Sequence, residues 1–84
     1  MEENDILREQ ISEIVKNQIE NNDPPETKII YKQLTKNGFN DFQSRQMIGQ
    51  CVALELFEII KMEKPFDNDR YIRNLKNLPK EPFE

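Results

Sequence analysis

The sequence contains no histidine, a single cysteine (Cys51) and only two glycines (Gly38 and Gly49). Without histidine, the commonest metal ligand and the usual proton shuttle at neutral pH are missing, and no Ser–His or Cys–His catalytic pair can form. One cysteine excludes a disulfide framework within the chain. Two isolated glycines cannot supply a glycine-rich phosphate-binding loop. The sequence therefore predicts a protein without metal, cofactor or enzymatic activity.

Long apolar runs are also missing, and no secretory leader is expected. The chain opens with Met-Glu-Glu-Asn-Asp, which has neither the basic start nor the apolar stretch of a signal peptide. A membrane-spanning helix needs a run of about 18 apolar residues, and the sequence has none. Together with the lone cysteine, these features predict a protein of the reducing cytoplasm that does not bind membranes.

Charge, by contrast, is abundant, because 33% of the residues are Asp, Glu, Lys or Arg. The net charge of −4 combines an acidic segment, residues 1–26 at −6, with a mildly basic remainder, residues 27–84 at +2. This asymmetry would let an acidic first helix lie on the rest of the molecule. It gives no strong positive field, so binding to nucleic acid is not the leading expectation.

Four segments carry apolar residues at helical spacing, and none alternates as a strand would. The predicted helices cover residues 4–22, the segment that begins at Pro24 and ends just before Gly38, and residues 41–64 and 69–77. We therefore expect an all-α fold, a compact four-helix domain over residues 1–79 with a long central third helix and a short C-terminal helix. Residues 80–84 are expected to form a flexible tail.

Turn and capping residues separate these helices. Asp23 is predicted to cap the second helix, with Pro24 at its first helical position and Glu26 at the spacing of a capping box. Asn40 and Gln43 have the same spacing at the start of the third helix. These residues predict where the second and third helices begin.

The third helix is the element against which the others are expected to pack. Between Cys51 and Ile60 only Glu55 and Glu58 interrupt its apolar run, and a helix that is apolar nearly all round is covered on several sides. Gly49 costs this helix about 1 kcal/mol relative to alanine, which indicates that another helix passes close by. The predicted buried positions are Ile11, Ile14, Ile30, Leu34, Ile48, Val52, Leu56, Ile59, Ile72 and Leu75.

Glu55 falls within the apolar stripe of the third helix, which also includes Ile48, Cys51, Val52, Ile59 and Met62. One interpretation is a carboxyl group with a raised pKa that acts as an acid or base in a functional pocket. The other is a structural carboxylate that is hydrogen-bonded to Tyr31, Tyr71 or Arg70. The structural interpretation is favoured, because a lone carboxylate is only half of most acid–base machinery.

Lys28, Lys32 and Lys36 form a basic stripe on the second helix. One interpretation is phosphate contact by a nucleic-acid-associated regulator, with the second and third helices as a helix-turn-helix. Asp41 opposes it, because a carboxylate near the start of the recognition helix would repel phosphate. The third helix is also too apolar to lie exposed in a groove. A solvated face, or salt bridges to the acidic first helix, is therefore favoured.

Several motifs occur in order along residues 15–79. They are Asn22-Asp23-Pro24-Pro25-Glu26, Leu34 with Gly38-Phe39, Ile48-Gly49, Glu55, Phe66-Asp67 with Arg70-Tyr71, and Leu78-Pro79. This pattern resembles a small bacterial family of all-helical domains with no assigned activity. Some relatives have a histidine pair early in the long helix, where this chain has Phe42 and Gln46. The resemblance thus implies a helical fold, and no metal or proton chemistry carries over from that pair.

The leading functional prediction is a non-enzymatic module that binds another protein, or a second copy of itself, through an apolar patch. Aromatic side chains commonly anchor such interfaces. The candidates for this surface are Phe42, Phe57, Phe66 and Phe83. The alternative interpretation is that these aromatic side chains fill the core.

Overall fold

The computed structural model describes the backbone of residues 2–80 and the side chains of residues 7–80. This part of the chain forms four α-helices and no strand: α1 (Glu2–Asn21), α2 (Pro25–Lys36), α3 (Asp41–Met62) and α4 (Asn68–Asn77). The predicted all-α fold with a long third and a short fourth helix is confirmed, and each helix end lies within two residues of its prediction. None of the helices within residues 2–80 has the length and hydropathy to cross a bilayer. Of the predicted tail, only Lys80 is described.

The start of α2 differs by one residue from the prediction. Pro24, not Asp23, is the N-cap, with an extended backbone (ψ 151°), and Pro25 takes the first helical position. The reason is that a proline disfavours the helical region for the residue before it, and Pro25 applies this restriction to Pro24. Since Pro24 has no side-chain acceptor, the capping box expected between Asp23 and Glu26 is replaced by a bond from the Thr27 N–H to the Pro24 carbonyl, at 3.2 Å.

Both ends of α3 are fixed by local hydrogen bonds. At the start, the Asn40 side chain accepts from the Gln43 N–H at 2.7 Å, and the Gln43 side chain accepts from the Asn40 N–H at 2.9 Å. This is the predicted capping box. At the other end, Glu63 adopts the left-handed conformation (φ 54°) and its N–H bonds to the Glu58 carbonyl. The helix therefore ends at Met62, two residues earlier than expected.

The core lies where α3 meets the other three helices, all of which pack against it. Its buried hydrophobic residues are Val15, Ile30, Leu34, Ile48, Cys51, Val52, Tyr71 and Leu75. At Gly49 a Cβ atom would lie 3.1 Å from Cγ2 of Ile11, so the glycine marks the close passage of α1. Ile11, Ile14 and Leu56 are half-buried against this core.

Two residues assigned to the buried stripe of α3 lie at the surface instead. The exposed fraction is 37% for Ile59, for which the predicted burial is therefore wrong, and 55% for Met62. The buried residues of α3 end at Glu58. The last turn of the helix thus extends beyond the helices that cover its middle, which the spacing of apolar residues in the sequence cannot reveal.

Candidate functional site

Glu55 is fully buried where α3 meets the start of α4. Its Oε2 accepts from Nε of Arg70 at 2.7 Å, and its Oε1 accepts from Nη2 of Arg70 at 3.0 Å and from the Asp67 N–H at 2.9 Å. The Arg70 side chain is only 12% exposed. The two residues therefore form a two-pronged ion pair with little solvent access, the geometry that suits a guanidinium and a carboxylate. Of the three partners considered from the sequence, Arg70 is the one found.

A second carboxylate shares the same guanidinium. Glu58 is 4% exposed, and its Oε1 lies 3.4 Å from Nη1 of Arg70, a longer contact than those to Glu55. The hydrogen bonds to Glu55, followed by the negative charges nearby, raise the pKa of Arg70 above its usual value. The Asp67 carboxylate in turn accepts from the Arg70 N–H at 3.0 Å and caps α4. This cluster attaches the loop after α3 and the start of α4 to α3.

The buried carboxylates are poorly placed for acid–base chemistry. Glu55 has no exposed surface, and it lines neither the cavity between α1 and α3 nor the one in the loop after α3. A general acid or base must reach a substrate, directly or through one water. Among the residues described, no group of three His, Cys, Asp or Glu side chains could hold a metal ion. The geometry of Glu55 is that of a structural ion pair.

Cys51 also faces the core and has no exposed surface. Burial raises the pKa of its thiol to about 12, so the thiol stays protonated at neutral pH. Its Sγ contacts the Met47 carbonyl at 3.8 Å as a weak donor. A reactive cysteine needs exposure and a lowered pKa, whereas Cys51 behaves as a small core residue.

A polar junction inside the bundle was not predicted from the sequence. Oε1 of Gln18 accepts two hydrogen bonds, from the Tyr71 hydroxyl at 2.5 Å and from the Thr27 hydroxyl at 2.8 Å. The two hydroxyl-bearing residues are fully buried, and burial raises the pKa of Tyr71 to about 12. The junction connects α1, α2 and α4. The signal in the sequence was a glutamine on the apolar stripe of α1.

The basic stripe on α2 is a solvated face. Lys32 and Lys36 are exposed and Lys28 is half-buried, and among the described residues none of the three forms an ion pair. Asp41, at the start of α3, accepts a hydrogen bond from the Tyr31 hydroxyl. It accepts a second from Nε of Arg45, one turn further along the helix, at 2.8 Å. These bonds lower the pKa of Asp41, so a carboxylate stands at the position that a recognition helix would turn towards phosphate.

One side of α3 presents an exposed stripe without any charged residue, which we call the outward stripe. Its members recur at intervals of three and four residues and span about 27 Å of helix. They are Phe42, Gln46, Gln50, Ala53, Phe57 and Ile60. The exposed fractions are 71% for Phe42, 49% for Phe57 and 66% for Ile60, and only Ala53 is half-buried. In a chain that is one-third charged, this surface is unusually neutral.

A groove lies beside the N-terminal half of the outward stripe, between α1 and α3, with a volume of about 580 Å³. We call it the α1–α3 groove. Its apolar lining comes from Ile11 and Val15 of α1 and from Phe42, Gly49 and Ala53 of α3. Its charged lining comes from Arg8, Asp41 and Arg45. Arg45 is paired with Asp41 at 2.8 Å, and no ion pair involves Arg8 among the described residues.

The predicted interface aromatics are divided among three places. Phe42 and Phe57 lie on the outward stripe, and Lys61 stacks on Phe57 with its Nζ 6.0 Å from the ring centre. Phe66, in the loop after α3, is 39% exposed and packs edge-to-face on Tyr71 with ring centres 5.4 Å apart. Phe83 lies outside the described residues.

Comparisons of the chain with protein-family models, with curated proteins and with solved structures find no match. The resemblance of its motifs to a bacterial helical family therefore stays a prediction.

Proposed function

We propose that this protein is a non-enzymatic protein-interaction module that binds its partner through the outward stripe of α3. The observation that carries this proposal is an exchange of polarity over the last three turns of the helix. Glu55 and Glu58 are buried there, whereas Phe57 and Ile60 point into solvent. An apolar side chain left in water forgoes roughly 1.5–3 kcal/mol that its burial would provide. A partner that covers this stripe would recover that free energy.

The continuity of the outward stripe supports the proposal more than the exposure of any one residue. Single exposed apolar side chains are normal on protein surfaces, and Ile29 on α2, at 52% exposed, is an example. Contiguous apolar surface with exposed aromatic residues is typical of interaction sites. An enzymatic role gains no comparable support, because the buried carboxylate of Glu55 is fully occupied by Arg70 and Asp67.

The test is a capture experiment in which the tagged protein is the bait and a native cell lysate supplies the partner. The captured material is washed at low salt and at about 1 M salt, where the Debye length falls to ~3 Å and surface charge attraction is screened. Wild type is compared with Ile60→Glu and with Ile29→Glu, a matched control of similar exposure on a different helix. We expect a protein that survives the high-salt wash with wild type and with Ile29→Glu but is lost with Ile60→Glu.

Equal capture by all three baits would contradict the proposal, because the outward stripe would then contribute nothing. Recovery of nucleic acid that is lost at high salt would instead favour the regulator that uses Lys28, Lys32 and Lys36, since phosphate contacts are strongly salt-dependent.

A further inference from the structure

The α1–α3 groove has its charged lining at one end. The helices α1 and α3 run in the same direction, because short connections join each of them to α2 and helices joined by short loops pack antiparallel. The two helices cross where Ile11 lies against Gly49. Arg8 precedes Ile11 by three residues and Arg45 precedes Gly49 by four, so both arginines lie about one turn before the crossing.

Both arginines have N–H groups that bind nothing else in the described part of the chain. Arg45 donates to Asp41 through Nε, and its guanidinium lies 5.5 Å from the centre of the Tyr31 ring. Among the described residues, neither Arg8 nor the two Nη atoms of Arg45 form a hydrogen bond or an ion pair. Two positive charges and the one negative charge of Asp41 leave this end of the groove with a net charge of +1. It therefore suits an anion that carries a single negative charge.

Beyond the crossing, the described lining of the groove is uncharged. Val15 and Ala53 provide its apolar surface, and the exposed side chains of Ser12 and Gln50 border it. From Arg45 to Ala53 the helix rises about 12 Å. The groove thus matches a molecule that has an anionic group at one end and an apolar chain of about this length.

The size of the groove distinguishes a small molecule from a segment of a protein. One turn of a helix, about 10 Å wide and 5.4 Å long, takes up roughly 420 Å³. The groove volume of about 580 Å³ therefore holds little more than one turn. A helix that docks in a groove uses anchor residues over two turns or more, whereas small-molecule sites commonly have volumes of about 300–1,000 Å³.

We propose that the α1–α3 groove binds a small aliphatic monocarboxylate. Arg8 and the Nη atoms of Arg45 donate hydrogen bonds to the carboxylate, and the aliphatic chain lies along Ile11, Gly49 and Ala53. A guanidinium matches a carboxylate in shape as well as in charge. A doubly charged phosphate group fits less well, because it would exceed the net charge of +1 at this end of the groove.

The first experiment is a calorimetric titration of the full chain with decanoate, whose chain has about the required length, below its micelle-forming concentration. We expect one molecule bound per chain, with a dissociation constant on the order of 100 µM, as is typical of ligands of this size. Acetate has the carboxylate without the chain, and decyltrimethylammonium has the chain with the opposite charge. Both should bind at least about tenfold more weakly. Amide resonances of Gly49 and Ala53 should shift with decanoate in a nuclear magnetic resonance titration.

The second experiment uses variants of the groove. Arg8→Gln should weaken decanoate binding at least about fivefold, because a charged hydrogen-bond donor is lost. Arg73→Gln is the matched control, since it removes an exposed arginine on α4 with the same change in net charge, and it should alter binding less than about twofold. Ala53→Phe should block binding by filling the apolar end of the groove. Circular dichroism checks that each variant is folded.

A titration without saturable binding up to about 2 mM decanoate, roughly twenty times the expected dissociation constant, would overturn the inference. Equal affinity for decyltrimethylammonium would also overturn it, as would an Arg8→Gln variant that binds decanoate as wild type does.

The inference does not depend on the interaction function proposed above. Ile60 does not line the groove, so Ile60→Glu should leave decanoate binding unchanged even though it abolishes capture of a partner. Loss of decanoate binding in Ile60→Glu would mean that the aliphatic chain lies on the C-terminal half of the outward stripe, which would overturn the inference.

Discussion

The two faces of α3 depart from the usual distribution of polarity, because two carboxylates are buried while apolar side chains are exposed. The buried face consists of Ser44, Ile48, Gly49, Cys51, Val52, Glu55 and Glu58. The outward stripe carries no charge, although it is exposed. Since the same 22-residue helix supplies both faces, local helix propensity cannot explain the difference. Which side of α3 faces the core depends on the residues that each side contacts. The buried carboxylates contact Arg70 on α4.

The two faces also show how a charged residue can be accommodated at a buried position. A carboxylate loses its hydration on burial, and an isolated one would be strongly unfavourable. Glu55 instead accepts three hydrogen bonds, from Arg70 and Asp67, so its charge is compensated where it lies. The apolar residues of the outward stripe have no such compensation in the monomer. The first face is compensated within the chain, whereas the second is left exposed to solvent.

The largest effect of a single substitution is expected from removing the buried carboxylate. In Glu55→Leu, the guanidinium of Arg70 would stay mostly buried without its main partner. Breaking a buried ion pair in this way typically costs 3–5 kcal/mol of stability. Because Arg70 keeps a 12% exposed side chain and a weaker contact to Glu58, we expect a loss near the lower end, about 3 kcal/mol, in urea unfolding.

The matched control is the double variant Glu55→Leu with Arg70→Leu. Replacing both members of a buried pair by apolar residues is often nearly neutral, so the second substitution should recover most of the stability lost by the first. A Glu55→Leu variant that loses less than about 1 kcal/mol, the net value of an ordinary hydrogen bond, would mean that the pair is not what orients α3.

The next effect, taken over a single pH unit, is a loss of stability at alkaline pH that comes from two buried groups, the Cys51 thiol and the Tyr71 hydroxyl. The pKa of Cys51 is about 12 in the folded protein against an ordinary value of 9.0, and that of Tyr71 is about 12 against 10.0. Both groups therefore stabilise the fold fully below pH 9, and this stabilisation is lost as the pH rises towards 12. The unfolding free energy should fall by up to about 1.4 kcal/mol per pH unit for each group, measured by denaturation at fixed pH.

A Cys51→Ala variant separates the two contributions. Without the thiol, the decline should begin about one unit higher, where the tyrosine hydroxyl of the unfolded chain starts to ionise. Equal slopes for wild type and Cys51→Ala between pH 9 and pH 10 would show that the buried thiol does not contribute.

A smaller effect than that of Glu55→Leu is expected at the boundary between the two faces, where α1 crosses α3. Gly49→Leu would push against Ile11, whose Cγ2 lies 3.1 Å from the position of the first added carbon. Overpacking of this kind costs about 1–3 kcal/mol. We expect a loss in that range in thermal or urea unfolding, partly recovered by Ile11→Ala. Gln50→Leu, one residue away and exposed, should change stability by less than about 0.5 kcal/mol. Similar losses for Gly49→Leu and Gln50→Leu would contradict a close crossing.

The helices could be predicted from the sequence because their ends are encoded locally. The capping pair of Asn40 and Gln43 needs only residues three apart, and it forms as expected. The start of α2 is also local, and the one-residue error came from applying the rule for residues before proline to Asp23 when Pro24 also precedes a proline. What the sequence did not determine is where covering helices stop. Ile59 therefore follows the pattern of a core residue and yet lies at the surface.

The sequence indicated which residues belong to the candidate site, but it did not indicate which of them are hydrogen-bonded to one another. The position of Glu55 on an apolar stripe indicated a buried carboxylate, but Arg70 was only one of three candidate partners. The distance along the chain is 15 residues across a loop, so helical periodicity could not select it. Phe42 and Phe57 were predicted as candidates for an interaction surface, but the outward stripe as a whole was not, because Ile60 belongs to the apolar run of the third helix. Only the positions of α1, α2 and α4 around α3 reveal which side is open.

The junction at Gln18 has a consequence for how such a chain can diverge. One amide oxygen serves two buried hydroxyls, which are nine and 53 residues away along the chain. Loss of the glutamine would remove the acceptor that both hydroxyls share. Loss of either hydroxyl would leave the amide oxygen with one donor instead of two. Substitutions at Gln18, Thr27 and Tyr71 should therefore become fixed together rather than singly. A distant relative could be recognised by these three residues at these spacings even where the rest of its sequence has drifted.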